Sequence, residues 1–263
     1  MTDPWNPEQY EKFLREREQP FFDLLGLIRP ASDMRVVDLG CGTGKLTRIL
    51  HERLHARETI GIDRSPRMLE GLRAAKLPDG LRFEVGDIEA FPSEGARYDL
   101  VVSNAALHWV EHHDALVGRL ASALQPNGQL AVQMPAMHDD ESHRVAAELV
   151  QEEPYRSAAG GWMRPQPVLA PEAYARLLFH VGFAVQTVRV IVYPHLLDAP
   201  EAVVEWFKGT LLAEYSRHLP ADLYARFLDE YRRRLLARIE TARPFFFPFK
   251  RILMWAQRPG ADH

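Results

Sequence analysis

The chain alternates between two apolar patterns. Met34–Leu39, Glu58–Asp63, Leu81–Gly86, Tyr98–Asn104 and Gln129–Met134 are short runs rich in Val, Ile and Leu, bounded by glycine, proline or an acid. Between them, Lys45–Arg57, a segment opened by Ser65-Pro66, and His113–Gln125 carry apolar residues at helical spacing. Strand-sized runs alternating with amphipathic helices predict βαβ units and a parallel sheet with helices on both faces. Ser65 reads as an N-cap with Pro66 in the first turn, and Pro126-Asn127-Gly128 as a helix stop. Residues 6–29 predict one or two amphipathic helices. After Pro135 the rhythm changes: 136–170, rich in charge, Gly and Pro, predict an irregular insertion. Pro171–Val181 predicts a helix, Phe183–Tyr193 a long strand, 199–243 a helical region and Arg251–Gln257 a closing strand. The sum is seven strands in one α/β domain, with no internal repeat.

The chemistry concentrates at Val36-Val37-Asp38-Leu39-Gly40-Cys41-Gly42-Thr43-Gly44. This is a strand, a glycine turn and a helix start, where open α/β sheets bind nucleotide-like ligands. A dinucleotide fingerprint needs Gly or Ala where Lys45 stands. A P-loop is excluded at both ends, by Leu39 and by Leu46. A carboxylate two residues before the first glycine repels a pyrophosphate. It suits a ligand carrying an ammonium group and a ribose.

Composition narrows the partners. The 263 residues are 46% hydrophobic and 26% charged, with a net charge of −4, so nothing points to nucleic acid. No apolar run approaches the roughly 20 residues of a membrane helix, and the N-terminus has no secretory pattern. The single cysteine, Cys41, allows no internal disulfide and points to the cytoplasm. Within the turn Cys41 reads as a small packing residue rather than a nucleophile. The basic run Arg232-Arg233-Arg234…Arg238, among acids, reads as a solvated helix face. His108, His112, His113, His138 and His143 lack acids at ligand spacing, so no metal is expected. A monomer acting on a small molecule is the expectation.

Asp38-Leu39-Gly40-Cys41-Gly42-Thr43-Gly44 resembles the first motif of the class I S-adenosylmethionine-dependent methyltransferases. The resemblance implies a Rossmann-like α/β fold, a mostly parallel seven-stranded sheet with helices on both faces and a helical cap. It implies S-adenosylmethionine as cofactor, with Asp38, Gly40, Cys41, Gly42 and Gly44 around its methionine part. Asp63 and Arg64 end the second strand, where a carboxylate can accept the ribose hydroxyls. Asp87 and Ile88 then take the adenine, and Asn104 and Ala105 lie near the methyl group.

A narrower resemblance runs along nearly the whole chain. Trp5-Asn6-Pro7…Tyr10…Phe13…Glu16-Arg17, Asn104-Ala105-Ala106-Leu107-His108-Trp109-Val110, Leu130–Pro135, Glu205-Trp206…Thr210 and Phe249…Arg251 are similar to the trans-aconitate 2-methyltransferases. This implies methylation of a carboxylate oxygen of an organic acid, which asks for positioning and cations rather than a base. An O-, N- or C-methyltransferase of a natural product or other small metabolite is the alternative; outside transferases the rivals are a nicotinamide-dependent oxidoreductase and a non-catalytic S-adenosylmethionine-binding protein. The acceptor candidates are Arg17, His108, Trp109, Gln133, His195 and Arg251, and Tyr10 and Arg17 match a segment closing over the cofactor. His108 is either a base or a pocket wall. The cap is expected from 1–30, 136–170 and 199–243, around a cofactor-binding core at 31–135. Where the family usually has Gly-Leu-Arg-Pro, this chain has Leu211-Leu212-Ala213-Glu214. An acid thus replaces a cation, and Lys208 and Lys250 are the cations available to compensate.

Overall fold

A computed structural model describes residues 14–72, 75–91 and 98–260, with side chains from residue 18 onward. The elements in chain order are α1 (Leu14–Leu25), β1 (Arg35–Leu39), α2 (Lys45–Leu54), β2 (Glu58–Asp63), β3 (Leu81–Val85), β4 (Tyr98–Asn104), α3 (His113–Ser122) and β5 (Leu124–Pro135). There follow α4 (Glu141–Val150), α5 (Tyr155–Ala158), α6 (Pro171–His180), β6 (Val185–Leu197), α7 (Glu201–Lys208), α8 (Leu211–His218), α9 (Ala221–Arg238) and β7 (Phe245–Gln257). The sheet order is β3-β2-β1-β4-β5-β7-β6. β1 to β5 are parallel, and β7 runs antiparallel to both neighbours. The expected sheet is therefore present, with its antiparallel strands at one edge.

The alternation within each strand shows why both faces need helices. Val37, Leu39, Val101, Leu130, Val132 and Met134 face one core with Leu116 and Leu120 of α3 and Tyr174 and Leu178 of α6. Val36, Leu100, Val102 and Ala131 face the other, with Phe21 and Leu24 of α1 and Leu50 and Leu54 of α2. Side chains of period two on a sheet buried on both sides give apolar runs without polar alternation. The chain order reverses between β1 and β4, so a cleft opens beyond their carboxyl ends.

A third core lies outside the sheet. β5 pairs with β7 only as far as Pro135 with Arg251, whereas β6 and β7 stay paired out to Leu197 with Phe245. This overhanging ribbon offers Phe245, Phe247 and Phe249 to Val145 and Leu149 of α4, Trp206 and Phe207 of α7, and Tyr215, Phe227 and Tyr231 of α8 and α9. Arg234 pairs with Glu152, and Arg238 with Glu148, at 2.6 Å each. The basic run of α9 thus reaches across to the 141–152 segment. Such exposed pairs contribute little individually.

Three expectations need correction. Residues 136–170 contain helices α4 and α5; Asp140 caps α4 by accepting from Ser142 N at 2.9 Å. Ser65-Pro66 opens only turns and a 3₁₀ segment at Glu70–Leu72 among the described residues. Ser65 Oγ still accepts from Met68 N at 3.3 Å. β5 begins at Leu124, since a bulge between Tyr98 and Leu100 absorbs Pro126-Asn127-Gly128 into the strand. No helix among the described residues is long and apolar enough to cross a membrane.

Candidate active site

The glycine turn after β1 is stitched onto the end of β2. Gly40 N and Cys41 N donate to Ile62 O at 2.8 and 3.0 Å, and Gly42 N donates to Asp63 Oδ2 at 2.8 Å. The other oxygen, Asp63 Oδ1, accepts from Ser65 N at 2.9 Å. Asp63 therefore shapes the turn while still facing the cleft. Gly40 sits at φ 77°, and a Cβ there would lie 2.1 Å from Ala106 Cβ. Gly44, at φ 73°, packs against the Phe83 ring and ends the turn where α2 begins. Only glycine meets both demands at these positions.

The turn opens on a cavity of about 280 Å³ at the switch point. Asp38, Gly40, Cys41, Gly42, Asp63, Arg64, Asp87, Ile88, Asn104 and Ala105 all line it, so the structure brings together the described residues expected around a cofactor except Gly44, which packs on Phe83 behind the turn. Tyr10 lies outside the described residues. Glu18 and Lys45 also line the cavity and pair with each other at 2.5 Å. No pattern along the chain marks Glu18, because the contact depends on how α1 packs on the sheet.

Asp38 is 5% exposed and accepts a hydrogen bond from Thr47 Oγ1 at 2.6 Å. Burial pushes its carboxyl up to about 6, against the Thr47 bond, with the nearby Asp63 charge adding to the rise. Burial first, then Asp38 and Asp63, raises the Cys41 thiol far above its ordinary range. Cys41 is thus a packing residue of the turn, with no thiolate to offer.

A second, smaller cavity of about 80 Å³ shares Ala105 and Trp109 with the first. Its wall includes His108, His143, Arg164, Phe207, Thr210 and Arg251. Ala105, between the cavities, holds φ 53°, a left-handed conformation costly for alanine, while its N donates to Gln133 O at 2.8 Å. Burial, then the Arg164 and Arg251 charges, holds His108 well below the usual imidazole range. Its Nδ1 is buried with no hydrogen-bond partner among the described residues. Burial, then Arg164, takes His143 to about 3. Both imidazoles are neutral and weakly basic at physiological pH.

Two acceptor candidates do not line this cavity. Gln133 is fully buried beneath it. In the orientation its neighbours dictate, its amide donates to Asn104 Oδ1 at 2.8 Å and accepts from Arg251 Nη1 at 3.0 Å. It links the two cavities from below. His195 stacks behind Trp206 at 5.0 Å and 6.0 Å from Phe249, so it backs the wall. Arg17 lies in α1, its side chain outside the described residues. Lys208 pairs with Glu205 at 2.6 Å and Lys250 with Asp139 at 2.5 Å, and neither lines the cavity. Arg164 is the cation that sequence reasoning missed, since nothing periodic marks it within 136–170. Of the other histidines, His113 bonds Tyr174 Oη and Leu107 O in the core.

The comparisons with known proteins agree with this geometry. The family described as "Methyltransferase domain" matches residues 30–169. The chain is 42% identical to the trans-aconitate 2-methyltransferase of Deinococcus radiodurans, over 97% of this chain and 98% of that one. It is 37% identical to the enzyme of the same name from Variovorax paradoxus, over 95% and 94%. Among solved structures, the YcgJ protein of Bacillus subtilis superposes with a TM-score of 0.60 at 15% identity, covering 93% of this chain and all of that one. A putative sarcosine dimethylglycine methyltransferase from Galdieria sulphuraria gives 0.55 at 16%, over 97% and 91%. Those two likenesses speak to the fold. With full-length identity to such relatives, and with the glycine turn and strand-end acids gathered at one switch point, the chain belongs to the trans-aconitate 2-methyltransferase family of S-adenosylmethionine-dependent methyltransferases.

Proposed function

We propose that this enzyme methylates a carboxylate oxygen of a small organic acid related to trans-aconitate. The observation that carries the reading is the pair Arg164 and Arg251 in a cavity that joins the glycine-turn cleft at Ala105 and Trp109. Guanidiniums are suited to carboxylates, and a carboxylate needs no base. His108 and His143, kept neutral and weakly basic, suit this chemistry better than the deprotonation of a phenol.

The cleft fits the cofactor. Asp38 is a buried acid whose carboxyl is raised to about 6, and a ligand ammonium beside it favours the carboxylate. Asp63 keeps lone pairs for two ribose hydroxyls, and Asp87 and Ile88 stand where an adenine edge and face would lie. When bound, S-adenosylmethionine supplies an electrophilic methyl: the acceptor oxygen forms the new O–C bond as the C–S bond breaks, the electron pair stays on sulfur, and no proton moves. The chain's own residues position and desolvate. Arg251 and Arg164 hold the acid, Trp109 and His108 wall it from water, and Gln133 keeps Arg251 in register with Asn104. In this reading the enzyme acts in a reducing cytoplasm, where the lone Cys41 needs no disulfide partner.

The test is release of S-adenosylhomocysteine from protein and S-adenosylmethionine with trans-aconitate, other carboxylic acids and phenols. Turnover confined to acids supports the reading; turnover on phenols alone refutes it. Asp63→Ala is expected to weaken cofactor binding by about 1.5–3 kcal/mol, the scale of a lost charge-assisted hydrogen bond. Unchanged affinity in calorimetry removes Asp63 from the ribose.

Asp38 also predicts a pH dependence. Its folded value, about 6, lies above the ordinary 3.8, so the cofactor-free fold holds the proton more tightly than the unfolded chain. This group's contribution to stability therefore declines as pH rises from about 4 to about 6, by about 3 kcal/mol in all. Cofactor binding reverses the shift, so it should strengthen as pH rises through that window and release a proton near pH 6. Calorimetry in two buffers of different ionisation enthalpy reads this directly. Proton release that persists in Asp38→Asn assigns it elsewhere.

A further inference from the structure

Two charged side chains at the rim of the cofactor cavity are not explained by the ribose, adenine or methyl positions. Lys45 is the first residue of α2, and it stands where a dinucleotide fingerprint needs a small residue. Side chains on a helix lean toward its N-terminus, so Lys45 leans back over the glycine turn and lines the cavity. Glu18 reaches the same cavity from α1, and its Oε1 accepts from Lys45 Nζ at 2.5 Å. Glu18 is 24% and Lys45 56% exposed, so the pair is half in water and contributes little to folding. An ammonium has three protons to give, and Glu18 takes one of them.

We propose that Lys45 binds the carboxylate at the methionine end of S-adenosylmethionine, and that Glu18 is the anion this carboxylate displaces. The inference rests on the placement of the methionine part at the glycine turn, beside Asp38. That end of the cofactor carries an ammonium and a carboxylate on one carbon. Asp38 suits the ammonium, and the carboxylate beside it then needs a cation. The cations lining the cavity among the described residues are Lys45, which adjoins the turn at Gly44, and Arg64, which adjoins Asp63 on the ribose side. Lys45 is the one placed at the methionine end. A carboxylate tethered through the rest of the cofactor competes at high effective concentration against a half-exposed partner. Two carboxylates crowding one ammonium repel each other, so Glu18 opposes cofactor binding rather than assisting it.

The experiment compares S-adenosylmethionine with its decarboxylated form, which keeps the sulfonium and the ammonium, by calorimetric titration of the full-length protein with no acceptor present. Removing the ligand carboxylate is expected to weaken binding to the wild type about tenfold, the scale of a charge-assisted hydrogen bond. Lys45→Met should weaken S-adenosylmethionine about tenfold and the decarboxylated form less than about twofold, so the preference between the two ligands disappears. Lys45→Arg should keep most of that preference. Glu18→Gln should strengthen S-adenosylmethionine about threefold without strengthening the decarboxylated form. Opposite shifts in the two variants, both confined to the ligand that carries a carboxylate, are not produced by loss of structure. An equal penalty for decarboxylation in wild type and Lys45→Met overturns the proposal. So does weaker binding of S-adenosylmethionine to Glu18→Gln. Asp38→Asn separates the proposal from the placement beneath it. If that variant binds S-adenosylmethionine as the wild type does, the methionine end lies elsewhere and both fall. If it binds more weakly while Lys45→Met does not, the proposal alone falls.

Discussion

Gly40→Ala is expected to abolish S-adenosylmethionine binding and to lower folding stability by about 2–4 kcal/mol. Two costs combine. At φ 77° an alanine pays about 1 kcal/mol for a left-handed backbone. Its Cβ would also meet Ala106 Cβ at 2.1 Å, so Ala106 must move, at about 1–3 kcal/mol for overpacking. Ala106 leads into the 3₁₀ segment Leu107–Trp109, so the displacement also carries His108 and Trp109, and both cavities are damaged at once. Gly42→Ala is the comparator: φ is 56° but nothing lies within 4 Å of its Cβ, so only the backbone cost of about 1 kcal/mol applies to the fold. Adding Ala106→Gly to Gly40→Ala should restore about 1–2 kcal/mol by removing the facing methyl. Denaturation midpoints and cofactor titration read all three variants. Normal cofactor affinity in Gly40→Ala would show that the turn tolerates what its geometry forbids.

Arg251→Met should lower kcat/KM for the acid acceptor about 100-fold, while cofactor affinity stays within about twofold. The loss is that of a buried charge-assisted contact to a carboxylate, about 1.5–3 kcal/mol, with some misplacement of the acid added. Gln133 Oε1 then loses the Nη1 donor at 3.0 Å but keeps Met134 N at 3.0 Å, so stability should also fall, by about 1 kcal/mol. Arg251→Lys should recover part of the KM but little of the geometry, because an ammonium cannot reproduce the planar fork. Cofactor affinity that falls in step with kcat/KM would place Arg251 with the cofactor cleft instead.

The sheet was legible because both its faces are buried, which leaves each strand as an unbroken apolar run. The cofactor cleft was legible because most of its residues lie at strand ends or in the glycine turn, and parallel strands bring their carboxyl ends to one edge of the sheet. Gln133 and His195 were misplaced for the opposite reason. They belong to long strands whose register decides which side chain faces a cavity, and register with β7 cannot be read from β5 or β6 alone. Lys208 and Lys250 carry charge at suitable points in the sequence, but Glu205 and Asp139 take them up outside the cavity.

By itself, then, the sequence determined the parallel core, the glycine turn after its first strand and the chemistry expected of the cofactor side. These rest on local rules: period-two burial, glycine at positive φ and acids at strand ends. Only the tertiary structure decided the acceptor side. Arg164 and Glu214 stand 50 positions apart, on segments with no periodic link, and meet because the β6–β7 ribbon overhangs the sheet and gives α4, α7, α8 and α9 a core of their own. A charge pair of that kind is fixed by packing between segments, which no window along the chain contains.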